Sequence, residues 1–216
     1  ANVSSIDISE AKISDASLAG ANFKDSNLTS VDAQRSDLSE TDFRDANLTR
    51  ARFDSSDFTN SNMKSSVLIQ TGLYKANLAG ADVSYSEFDR TNIQEANLTG
   101  ANLTGSIFTG VTPMHVKLDG ADLTGVVLLQ SRFIRTTFND ADLTGVNLSE
   151  SNLSGSKFAG AKQTGWTLWP FSVSSPSLGV VQREMRNPDL VCDLTSVNDC
   201  SGADLNHTDM ASRKLQ

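Results

Sequence analysis

Cysteine, histidine, aromatic residues and positive charge are all scarce in this chain of 216 residues, and each shortage excludes something. The two cysteines, Cys192 and Cys200, lie near the C-terminal end with seven residues between them. That spacing suits one small disulfide loop or, alternatively, two unlinked thiols. No His or third Cys stands beside them at zinc-finger spacing, which argues against a structural zinc. The two histidines, His115 and His207, are isolated, and no G-x-S-x-G, P-loop, H-E-x-x-H or CxxC motif occurs. The sequence therefore offers no catalytic residue, no metal ligand set and no cofactor site. A net charge of −8 speaks against direct nucleic-acid binding, which needs a basic stripe. No apolar run is long enough to span a membrane, so no membrane insertion is expected. Apolar residues make up 38% and aromatics 6%, low for an ordinary globular core. The chain is then either partly disordered or built on a thin, regular core.

What is present is a repeat. The stretch from Ala96 to Gly110 reads ANLTG ANLTG SIFTG. In blocks of five counted from Ala1, the third residue, the centre, is a large apolar side chain throughout residues 1–165, except at Ala33, Pro113 and Gln163. The first residue of each block is Ala, Ser, Thr or Val from Ala11 to Ala161. The second is often Asn or Asp, the fourth mostly Ser or Thr, and the fifth Gly, charged or small. Disorder requires no such regularity.

A period of five fits neither a helix nor a flat strand. Two inward positions per block, one large and one small, can line a chain that turns a corner every five residues. Four corners close a square of 20 residues, and successive squares stack at about 4.8 Å with backbone pairing between coils. Large centres stack down the axis, and small first residues fill the corners. Asn and Asp suit the turns, and Gly at the fifth position relieves the tight corners.

ANLTG, ADLTG and SNLSG resemble the pentapeptide-repeat family, whose pattern is A(D/N)LXX. The resemblance covers residues 1–165 and implies an all-β fold, a right-handed quadrilateral parallel β-helix of about eight coils. Residues 166–216 form a second region, a small C-terminal capping segment. Trp166, Trp169 and Phe171 are expected to lid the last coil, because the small first-position rule fails there. Ser175 to Arg186 is expected to form a short helix, with Asn187-Pro188 stopping it.

Residues 20 apart share a face, so surfaces follow from numbering. Numbering the faces from the block at Ala1, the second positions of the first face form an Asn/Asp ladder: Asn2, Asn22, Asp42, Asn62, Asp82, Asn102, Asp122, Asp142. It reads either as turn chemistry or as a row of charge imitating a DNA backbone. The third face gathers Lys12, Arg35, Arg52, Lys75, His115, Arg132 and Arg135. On the second face, Val67, Ile69, Ile107, Val127 and Leu129 occupy outward slots that usually hold polar residues. Tyr74, Met114 and Ile134 follow around the corner. Together they are expected to form an apolar stripe that binds a protein partner, is covered by the C-terminal tail, or reflects no more than drift of the repeat. Pro113 lacks a backbone donor and marks a local irregularity beside the stripe.

The functional expectation is a non-enzymatic structural or adaptor protein with a protein partner. Members of the family occur in cyanobacteria and in chloroplast thylakoid lumens. The acidic charge, the cysteine pair and a first residue that is not Met suit a processed protein of the thylakoid lumen or periplasm; the alternative location is cytoplasmic. The alternative function is that of the gyrase-binding members, acidic DNA-mimicking rods that protect gyrase from inhibitors. An end-to-end homodimer is left open.

Overall fold

The computed structural model describes residues 3–149, 151–164 and 167–169. The chain winds as a right-handed quadrilateral β-helix in which residue i pairs in parallel with residue i+20. Most sides pair through a single bridge per coil. On the second face three sides lengthen into strands: β1 (Glu87–Asp89), β2 (Ile107–Thr109) and β3 (Val127–Leu129), ordered β1-β2-β3 and parallel. The expected helix after Ser175, the Cys192/Cys200 pair, Trp166 and Phe171 lie outside the described residues.

One block shows why each position has its residue type. In Thr41–Asp45 all five backbone N–H groups find an acceptor. Asp42 donates to the Ala21 carbonyl one coil back at 2.9 Å, whereas Phe43 and Asp45 donate to Asn62 and Lys64 one coil ahead at 2.6 and 3.1 Å. The Thr41 N–H closes a turn on the Leu38 carbonyl at 3.4 Å. The remaining N–H, that of Arg44, goes to Asp42 Oδ1 at 3.1 Å. A second-position Asn or Asp thus supplies the acceptor that the ladder cannot. Asn27, Asn47, Asn97, Asn102 and Asp122 do the same two residues on. Where the second position is Gly72 or Thr137, the acceptor comes from the preceding coil, Asp54 for Tyr74 N–H and Asp119 for Asn139 N–H.

Corners are turns running from a centre to the next first residue. Their third member, the fifth residue of the block, has a positive φ at every such position described from Ser5 to Gly160, with values of 51–72°. Positive φ there, with the closing bond, is the signature of a type II turn. Twenty-one of these residues are not glycine, Arg50, Gln70 and Tyr85 among them. The coil imposes the left-handed conformation, at about 1–2 kcal/mol for an L-residue. Glycine at this slot is therefore a relief and not a requirement.

First-position Ser and Thr often do more than fit. Many of their hydroxyls donate to the centre carbonyl 23 residues back, as in Thr71 to Leu48 (2.7 Å) and Ser106 to Val83 (2.8 Å), whereas those of Ser61 and Thr136 are buried without a partner. At four corners the hydroxyl also replaces the turn's own closing bond. Ser56 Oγ donates to the Ala33 carbonyl at 2.8 Å and accepts the Ser36 N–H at 3.1 Å. Ser26, Ser36 and Ser156 bridge their corners in the same way.

The axis is filled by the centres, with stacked rings one coil apart: Phe23 on Phe43, Phe88 on Phe108 and Phe138 on Phe158. Ala33 is fully buried directly beneath Phe53, so a small centre lies under a large one. The bridge column of the third face stops at Asn92 and resumes two residues off, as Met114 with Ile134, with Pro113 between. At the C-terminal end the pairing runs past residue 165 after a one-residue shift. Asn147 pairs with Leu168, and Thr167 Oγ1 donates to the Leu143 carbonyl at 2.6 Å. Thr167 thus takes the first-position role, and the small-residue rule holds in a shifted frame. Trp169 then falls on a centre, packs edge-on against Phe158 at 5.2 Å, and donates from Nε1 to Gln163 Oε1.

Candidate interaction surface

Buried polar side chains among the described residues are all serine or threonine. No group of His, Cys, Asp or Glu among them could hold a metal ion, and no helix is long and apolar enough to cross a membrane.

Among the described residues, four large hydrophobic side chains are exposed: Tyr85 at 59%, Ile107 at 44%, Val127 at 38% and Leu168 at 50%. All four lie along one edge, where the first face turns into the second. Ile107 and Val127 are cross-strand partners. Asn147 follows in the same column and pairs with Leu168. Tyr85 occupies the corner one coil before Gly105, and a Cβ added there would meet its ring at 2.8 Å. The Cδ1–Cε1 side of the ring therefore lies close against the Gly105 backbone, two residues before Ile107. Lys64 Nζ sits over it at 5.4 Å from the centroid. Glycines continue the corner at 105, 125 and 145, leaving a shelf beside the Ile107–Val127 pair.

β-Branched side chains at 107 and 127 fit the local backbone. They sit in β2 and β3, where a strand replaces the Asx turn and an Asn or Asp acceptor has no role.

The other stripe residues are placed differently. Val67 and Ile69 are half-buried, and Glu87 and Asp89 separate their columns from β2. Met114 and Ile134 pair with each other at the far side of the third face, with Thr109 and Thr112 between them and Ile107. Tyr74 is half-buried; its hydroxyl donates to Glu95 Oε1 at 3.1 Å, and Lys75 lies over its ring. Leu129 pairs with Thr109 in the β2–β3 ladder. The structure thus divides the stripe into an Ile107/Val127 pair and a Met114/Ile134 pair. Tyr85 and Leu168 join the first pair unannounced by sequence, Tyr85 because it stands in a corner slot and Leu168 because the frame shifts before it.

The acidic and basic faces are also more mixed than their composition. Arg35 grips Asp15 with two bonds of 2.8 and 2.6 Å, and Arg52 holds Asp32 at 3.0 Å, so the first coils of the third face form an ion-pair ladder. Arg35 holds the Asp15 carboxyl below its usual range, and Arg44 does the same for Asp42 on the first face. Asp32 is lowered chiefly by the Ser14 hydroxyl.

A family model described as pentapeptide repeats matches residues 6–45, 26–64, 72–110 and 114–149. No curated protein sequence matches the chain. Solved structures do. HetL, a pentapeptide repeat protein involved in heterocyst differentiation regulation in Nostoc sp. strain PCC 7120, is 22% identical; the match covers 74% of this chain and 86% of that one, with a TM-score of 0.29. QnrB1, a plasmid-mediated fluoroquinolone resistance protein, is 14% identical over 77% and 95% of the two chains, with a TM-score of 0.38. A pentapeptide repeat protein of the Arabidopsis thaliana thylakoid lumen is 19% identical over 62% and 69%, with a TM-score of 0.31.

Proposed function

The chain belongs to the pentapeptide-repeat family, and from that premise we propose that it is a non-enzymatic structural protein that docks a protein partner along the edge of Tyr85, Ile107, Val127 and Leu168. The observation that carries this reading is the gathering of every exposed large hydrophobic residue described onto one edge. Contiguous exposed apolar surface of this kind marks contact sites, and an exposed aromatic ring beside an aliphatic pair is the composition of an interface anchor.

The DNA-mimic reading draws less support. Asn and Asp alternate on the first-face ladder because both accept the N–H two residues on, and Arg44 and Lys162 lie against Asp42 and Asp142. The ladder is accounted for by turn chemistry, and part of its charge is neutralised.

The location proposed is an oxidising compartment such as the thylakoid lumen or periplasm. The Cys192/Cys200 spacing and the acidic charge support it. Thiol titration of the unfolded chain tests it: no free thiol supports the reading, and two free thiols oppose it.

The docking edge is tested by identifying proteins retained by the wild-type chain and lost by Ile107→Asp/Val127→Asp, then measuring the purified partner's affinity for both. At least tenfold weaker binding by the variant, with unchanged melting, supports the edge. Equal affinity for both, or retention of gyrase by both, refutes it.

A further inference from the structure

The fourth face carries a charge pattern that reverses along the rod. Its second positions form an unbroken column of paired residues: Ser17, Asp37, Asp57, Asn77, Asn97, Lys117, Thr137 and Lys157. Both acids precede the two asparagines and both lysines follow them. None of the four charged residues has an ion pair among the described residues, although most other cations of the rod do. The Asp57, Asn77 and Asn97 side chains are tied into a ladder by bonds of 3.2 and 2.9 Å. Asp37 and Asp57 accept hydrogen bonds only from their own turns and this ladder. The outward fourth positions beside the column are uncharged except Asp119, whose carboxylate is held by the Thr137 hydroxyl at 2.7 Å and the Asn139 N–H at 2.9 Å.

A column that is acidic at one end, neutral in the middle and basic at the other is complementary to itself when inverted. We propose that two copies of this chain associate side by side and antiparallel through their fourth faces, about a twofold axis between Asn77 and Asn97. The operation keeps each column opposite itself and inverts its direction. Lys117 of one copy then faces Asp57 of the other, and Lys157 lies one coil, about 4.8 Å, from Asp37, within the reach of a lysine. The contact is isologous, so each pair occurs twice. On the neighbouring corner Lys75 and Glu95, already paired at 3.5 Å, exchange places, and neither meets a like charge. Arg35 faces Arg135 with Asp15 already bound to it, and Glu40 faces Asp140 at the opposite corner.

Eight coils at about 4.8 Å give a face about 38 Å long. At a width of about 10 Å it buries about 400 Å² per copy, the range of weak, transient interfaces. The dimer is therefore dependent on concentration and weakened by salt.

Sedimentation of the full chain over a concentration series at low and high salt tests this. The wild type is expected to show a monomer–dimer equilibrium that salt shifts to monomer. Lys117→Glu/Lys157→Glu and Asp37→Lys/Asp57→Lys should each weaken it at least about tenfold, because every ion pair becomes a repulsion. An equimolar mixture of the two variants should restore a dimer. Zero-length carbodiimide coupling reports the orientation. Lys117 and Asp57 of one rod are three coils, about 14 Å, apart, so a Lys117–Asp57 link forms only between copies. A monomer at every concentration and salt overturns the proposal. So does a dimer indifferent to the reversals, as an end-to-end contact would be, or coupling without the Lys117–Asp57 link.

Discussion

Replacing Ser56 with Ala removes one hydroxyl and leaves two buried backbone groups without partners. Ser56 Oγ bridges the corner between Ala33 and Ser36, and no direct bond closes that corner. Ala33, Ser36 and Ser56 are all buried. An unsatisfied buried backbone group costs about 1–3 kcal/mol, so Ser56→Ala, which leaves two, should cost about 2–6 kcal/mol. Thr71→Val is the control. Thr71 Oγ1 also donates to a centre carbonyl, that of Leu48, but this carbonyl keeps the Ala51 N–H at 3.0 Å. Its loss should cost about 1 kcal/mol. Urea unfolding followed by circular dichroism gives both values, and amide exchange at Ser36 reports the corner itself. If Ser56→Ala costs no more than Thr71→Val, the corner closes on itself and the hydroxyl bridge is dispensable.

Leu98→Asp places a charge on the buried axis and should abolish cooperative unfolding; a normal melt of that variant would contradict the stacked core. Gly100→Ala adds a Cβ into open space at φ +66°, so only backbone strain acts, and a loss of about 1–2 kcal/mol is expected in the same urea assay. Acid should open the rod from its first coils. Asp7, Asp15, Asp32, Asp37 and Asp42 all have carboxyls held below the usual range by hydrogen bonds, led by the Ser9 N–H, Arg35, Ser14, Ser39 and Arg44 respectively. Groups so depressed stabilise the fold above the unfolded value of about 3.9, and that contribution is lost as pH falls through the folded values. Stability should therefore be flat in this respect above about pH 5, and below about pH 4 amide protection should fail in coils one to three first. Uniform loss along the rod would contradict this.

The coil was legible because nearly all of its centres are large apolar side chains and most of them bury completely, with Phe43, Phe88 and Leu98 as examples. The fifth position was less legible. Arg50, Gln70 and Tyr85 share one backbone conformation with Gly100, and an exposed side chain does not report the φ beneath it. Ser56 read as merely small, since composition does not distinguish a filler from a hydrogen-bond bridge. The second-position Asn and Asp read correctly as turn residues, which the bonds from Thr29, Arg44 and Thr99 explain. The apolar stripe was legible as a set of misplaced residues but not as a shape. Numbering placed Ile107 and Val127 on one face and Met114 on the next, but Tyr85 stands in a corner slot and Leu168 follows a one-residue shift of frame, so neither was legible as part of the edge.

The docking edge is tested most directly by a photo-crosslinking side chain introduced in turn at Ile107, at Val127, and at Asn62 and Asp122 of the first face. The account predicts that positions 107 and 127 capture the same defined protein and that positions 62 and 122 do not. Capture at 62 and 122 with none at 107 and 127 would contradict it and return the function to the acidic face.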